Sequence, residues 1–124
     1  MKLFEIFNKN KKIVPPIPPI DEIANTLYDK SLNYVACQVT KVIYSADKTK
    51  RFVILKSDKE YYKYSYEEIF VDDEEEWALC YNLPNAYPAY WQPVDKSSAY
   101  SFFGTEDEAL LSMKQEMEYL CYFE

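Results

Sequence analysis

From Tyr34 to Val71 the chain repeats with a period of two, and this constrains the fold more than any other feature of its 124 residues. YVACQVTKVIY sets Val35, Cys37, Val39 and Ile43 against Tyr34, Gln38 and Thr40. RFVILKS and YYKYSYEEIFV follow after two short polar breaks, SADKTK at 45–50 and Ser57 to Lys59. Side chains of an extended strand point alternately to opposite faces, so runs rich in Val, Ile, Thr and Tyr predict three half-buried strands. Breaks this short leave room only for hairpin connections, which predicts an antiparallel meander.

The flanking segments have other patterns. In VPPIPPI, residues 14–20, four prolines lack backbone donors and impose extended geometry, which reads as a spacer or strap; a ligand for a polyproline-binding domain is the other reading. In DEIANTLYDKSL, Ile23 and Leu27 recur at helical spacing behind Asp21 and Glu22, predicting a helix over 21–32. EWALCYN, 76–82, is too short for periodicity to separate strand from helix. YNLPNAYPAYWQP, 81–93, carries prolines at 84, 88 and 93 and so reads as an ordered crossing, with Tyr87 and Trp91 packed inwards and Tyr90 at the rim. It leads to an expected last strand, SAYSFFG. GTEDEALLSMKQEMEYL predicts a terminal helix: Thr105 is the N-cap, Glu108 its capping-box partner, and Ala109, Leu110, Met113, Met117 and Leu120 the apolar stripe.

The expected fold is α+β, an antiparallel sheet of four or five strands with an N-terminal and a C-terminal helix packed on one face. Residues 1–20 form a basic leader and proline-rich spacer, and 21–124 a single domain. No signal peptide is read in MKLFEIFNKNKK, and no run approaches the roughly 18 apolar residues of a membrane span. Cys37, Cys80 and Cys121 are odd in number and sit among apolar neighbours, which predicts buried free thiols and a cytoplasmic protein.

Inventory narrows the chemistry. With Gly104 the only glycine, neither a dinucleotide-binding fingerprint nor a phosphate-binding P-loop fits the sequence. The absence of histidine removes Ser-His-Asp and Cys-His machinery and histidine zinc sites. A calcium loop would need alternate ligands and a turning glycine that the acidic run lacks. No enzyme, metal or cofactor is expected.

Charge points to a partner instead. Residues 1–57 carry +5 and residues 58–124 carry −12, within a net charge of −7. An acidic surface repels nucleic-acid backbones and attracts cationic proteins, and the single arginine, Arg51, offers little phosphate-clamping capacity. Glu67, Glu68, Asp72, Asp73, Glu74, Glu75 and Glu76 place seven carboxylates within ten residues. The plain reading of the run is a solvated loop; the functional one is an acidic patch for a basic protein partner, flanked by Tyr64 and Tyr90. Tyr62, Tyr64 and Tyr66 share one strand face, which suits either the sheet surface beneath a helix or an exposed recognition face.

The order of DDEEEW, LPNAYPAYWQPVD and FGTEDEAL, within residues 60–124, resembles the small acidic cytoplasmic proteins of Firmicutes and related bacteria, some of which are immunity proteins of polymorphic or contact-dependent toxin systems. That resemblance implies stoichiometric binding of a cognate toxin, with acidic side chains filling a basic cleft. Two alternatives remain open. A symmetric homodimer would bury the aromatic surface of an assembly subunit, and a ligand-binding protein or small enzyme would show a deep pocket lined by Tyr62, Tyr66 and Trp91.

Overall fold

The computed structural model describes residues 13–94 and 101–124. Within them an extended segment leads into α1 (Ile20–Leu27), followed by β1 (Cys37–Tyr44), β2 (Lys50–Ser57), β3 (Tyr62–Val71), α2 (Glu74–Cys80), β4 (Ala89–Pro93), α3 (Glu106–Met113) and α4 (Met117–Tyr122). The four strands form one antiparallel sheet in the order β1-β2-β3-β4, and the protein is α+β. The basic leader, residues 1–12, lies outside the described residues.

Register decides what each face carries. Phe52 pairs with Tyr66 and Ile54 with Tyr64, so these four point the same way and form a core with Ala109 and Met113 of α3. Tyr62 joins its edge, and Tyr64 and Tyr66 are therefore the sheet surface beneath a helix. Arg51 pairs with Glu67 and Glu67 with Pro93, which places Arg51, Glu67 and, two residues back, Trp91 on the opposite face. There the Trp91 indole donates to Leu27 O at 2.9 Å, and Ile23 and Ala24 of α1 are buried. The N- and C-terminal helices thus cover opposite faces, not one. Both faces of β2 are covered, which is why all five residues from Arg51 to Leu55 are buried.

Several boundaries differ from expectation for identifiable reasons. The register between β1 and β2 shifts between Val39 and Lys41, so Val39 and Ile43 point to opposite faces despite equal parity, and Val35 is exposed. β4 lies inside the proline-rich segment that reads as a crossing. It is an edge strand, and Pro93 sits at its end, where the missing donor is tolerated. Of the expected strand SAYSFFG, residues 98–100 lie outside the described residues, and Phe103 makes an isolated bridge to Tyr62. The terminal helix breaks after Met113. Glu116 is extended at the N-cap of α4, and the Tyr64 hydroxyl donates to its carboxylate at 2.6 Å. The break turns Tyr119 and Phe123 onto Phe52 and leaves Met117 and Leu120 outside. The three cysteines are free; Cys37 and Cys80 are half-buried and Cys121 is exposed, so none is a core thiol.

Candidate functional site

The densest polar cluster is internal. Arg51 is fully buried, and its Nε donates to Glu67 Oε1 at 2.6 Å while the two terminal nitrogens donate to Lys30 O and Ser31 O. The guanidinium lies 4.2 Å from the centre of the Trp91 ring. The other Glu67 oxygen accepts from the Tyr34 hydroxyl at 2.6 Å. Burial, and then the bond to Glu67, hold the Tyr34 phenol well above the ordinary tyrosine range. Every group is satisfied, so the cluster works as an internal strut fixing the 28–34 segment over the sheet.

This disposes of part of the predicted acidic patch. Glu67, only 3% exposed, and Tyr64, equally buried, are not available to a partner. Glu68 lies on the other face, accepting from the Tyr66 hydroxyl at 2.6 Å. The DDEEE run is a helix start and not a solvated loop. Asp73 caps α2 by accepting from Glu76 N at 2.8 Å, and the Glu76 carboxylate returns the bond by accepting from Asp73 N at 3.2 Å. Asp73, Glu74 and Glu75 are exposed and Asp72 is half-buried. The seven carboxylates are thus divided between two faces of the sheet and one helix N-terminus.

What remains is one end of the face covered by α3 and α4. These helices pack over Phe52, Ile54, Tyr64 and Tyr66. Beyond them the pair Phe70–Tyr90 stays open, 37% and 46% exposed, with ring centroids 5.3 Å apart. Gln92 is exposed on the same face of β4, next to Glu68 of β3. Lys50, paired with Glu68, holds its ammonium 4.5 Å from the Tyr122 ring at the margin of α4. Asp72 and Asp73 follow directly on β3, so the exposed start of α2 belongs to the same end of the sheet. Tyr90 therefore has the rim position expected of it. Phe70 is a member that sequence reasoning missed, although its parity with Tyr66 and Glu68 and its pairing with Tyr90 put it there.

Among the described residues the main concave features are open grooves. One of about 440 Å³ runs between the proline segment and α2, and one of about 340 Å³ lies among Ile20, Asp21, Asp47, Lys50, Glu68 and Ile69. The pocket of Tyr62, Tyr66 and Trp91 that the ligand-binding alternative requires does not form, because Tyr66 and Trp91 point to opposite faces. Among the described residues no group of three or more Cys, Asp or Glu is placed to hold a metal ion, and no helix is long and apolar enough to cross a membrane. Compared with protein-family models, with curated proteins and with solved structures, the chain matches none.

Proposed function

We propose that the chain is a non-enzymatic protein-binding module that presents the Phe70–Tyr90 end of its sheet, with the exposed carboxylates of α2, to a basic protein partner in the manner of an immunity protein. The observation that carries this reading is the aromatic pair left open where the C-terminal helices end. A tyrosine and a phenylalanine on a rigid strand pair supply contact area at low entropic cost, which is the composition of interface cores. Asp73, Glu74 and Glu75 at the same end would steer a cationic partner and favour its approach.

The state of the titratable groups supports binding over catalysis. Glu67, Glu68 and Glu116 are engaged by tyrosine hydroxyls. Burial and these carboxylates hold the Tyr34 and Tyr66 phenols protonated. Partial desolvation and the Asp72 carboxylate push the Cys80 thiol up, the opposite of what a nucleophile needs.

Affinity capture from the native host at low and high salt tests the proposal. The wild-type chain should retain a basic protein that salt releases. Tyr90→Ala should weaken retention at least tenfold, and Glu74→Lys with Glu75→Lys should slow association and flatten the salt dependence. A chain that retains nothing at either salt and forms a stable symmetric dimer through Tyr90 would replace this reading with that of an assembly subunit.

A further inference from the structure

A second surface, apart from Phe70–Tyr90, already holds a ligand-like segment. The indole Nε1–H of Trp77 on α2 donates to Pro15 O at 2.8 Å. Val14, Pro15, Pro16 and Ile17 lie along one wall of the 440 Å³ groove, and Glu74, Trp77 and Ala78 form the other. Tyr81, one turn on, sets its ring edge-on to Trp77 at 6.3 Å. A polyproline backbone makes no internal hydrogen bonds, so its carbonyls are free to accept, and an indole N–H beside an apolar shelf is the chemistry by which proline-rich peptides are recognised. Here that chemistry operates within one chain.

The segment is held lightly. Residues 13–16 are exposed, Ile17 and Pro18 are half-buried, and the described hydrogen bond from α2 is the one to Pro15. Trp77, 6% exposed with the segment in place, stands on a helix whose start is closed by the capping box, so this wall is braced independently of the segment. A rigid reader bound to a weakly held occupant of its own sequence is an exchangeable pair. We infer that the Trp77 face of α2 is a docking site for an extended proline-rich peptide with an aliphatic residue between proline pairs, and that Val14–Pro18 covers it in cis as a competing strap.

A tethered segment acts at an effective concentration on the order of millimolar, so a trans peptide with an intrinsic Kd of ~100 µM is held back roughly tenfold. The test uses the full chain labelled with nitrogen-15 and the synthetic peptide IVPPIPPI, following the two indole resonances. That of Trp91, bonded to Leu27 O, reports whether each variant keeps its fold. Pro15→Gly with Pro16→Gly loosens the strap and leaves the core untouched. In this variant the Trp77 resonance should shift on loosening and return as peptide is added, and the anisotropy of a fluorophore on the peptide should report half-binding at about one-tenth of the concentration the wild type requires. Trp77→Phe, which removes that resonance, should abolish the change in anisotropy, and a peptide with alanine at its four prolines should give none. Equal affinity for wild type and the glycine variant would overturn the inference, as would a Trp77 resonance in the glycine variant that no peptide moves at millimolar concentration.

Discussion

At the scale of single residues, Arg51 carries the largest consequence. Its charge is removed from water and compensated by Glu67, two carbonyls and the Trp91 ring. Removing one partner strands the other, which costs about 3–5 kcal/mol for a buried pair, whereas replacing both with apolar residues is often close to neutral. Glu67→Gln should therefore lower unfolding free energy by about 3 kcal/mol in urea, and Arg51→Met with Glu67→Leu and Tyr34→Phe should recover most of it. A triple variant as unstable as the single one would show that the polar cluster, and not burial alone, specifies this face. Tyr34 adds a pH dependence. Its folded pKa is raised, so its contribution is fully present below the unfolded tyrosine value of about 10 and is lost as pH rises further, because only the unfolded chain then releases the proton. Tyr34→Phe should cost about 1 kcal/mol at pH 7 for the lost hydrogen bond, and the gap to wild type should close between about pH 10 and 11 in parallel denaturant titrations. The sequence held one clue to this cluster: Glu67 has the parity opposite to Tyr62, Tyr64 and Tyr66, so it had to point away from them. What it did not show was that a helix covers that second face, and without a cover a carboxylate there reads as surface.

Among the elements, those with local causes were legible and those with distant causes were not. The meander appears where period two places it, and the Thr105 hydroxyl caps α3 by accepting from Glu108 N at 3.1 Å. The short apolar run WALCY became a helix because Asp73 and Glu76 close a capping box in front of it. The pattern D-x-x-E is in the sequence, hidden inside what looked like an undifferentiated charge run. Asp73→Ala should cost about 1 kcal/mol of stability, the usual loss for an N-cap. It should also broaden the Trp77 indole resonance as the first turn of α2 frays, whereas Glu75→Ala, outside the box, should do neither. The bulge between Val39 and Lys41 and the break at Glu116 have no local signature. The first depends on matching β2, and the second on a tyrosine hydroxyl 52 residues away in the chain. β4 was concealed for a related reason, since its prolines argue against a central strand and only its place at the sheet edge makes them compatible with pairing.

Over the whole molecule, charge acts against the fold while favouring the proposed partner. The net charge is −7, and Asp72, Asp73, Glu74, Glu75 and Glu76 stand in unbroken succession. The described ion pairs are the buried Arg51–Glu67 and a surface contact, Lys56–Glu60, at 4.0 Å with Glu60 largely exposed. Salt removes little from such a surface pair, worth about 0–1 kcal/mol, and hardly reaches the buried one. It also weakens the attraction of α2 and α3 for their acidic first turns, about 0.3–1 kcal/mol per helix. Against this, neighbouring exposed carboxylates repel by several tenths of a kcal/mol for each close pair in water; the first turn of α2 contains two such pairs and that of α3 one. Repulsion wins, and raising sodium chloride from low to half-molar concentration should increase stability by about 1 kcal/mol, a Tm rise of a few degrees. Glu74→Gln with Glu75→Gln should raise Tm at low salt and shrink the salt response. A Tm that falls with salt would mean that favourable surface pairing outweighs the crowding. The same salt that steadies the isolated chain should loosen its hold on a cationic partner, so a complex lost at high salt while Tm rises reports a weakened interface and not an unfolded binder.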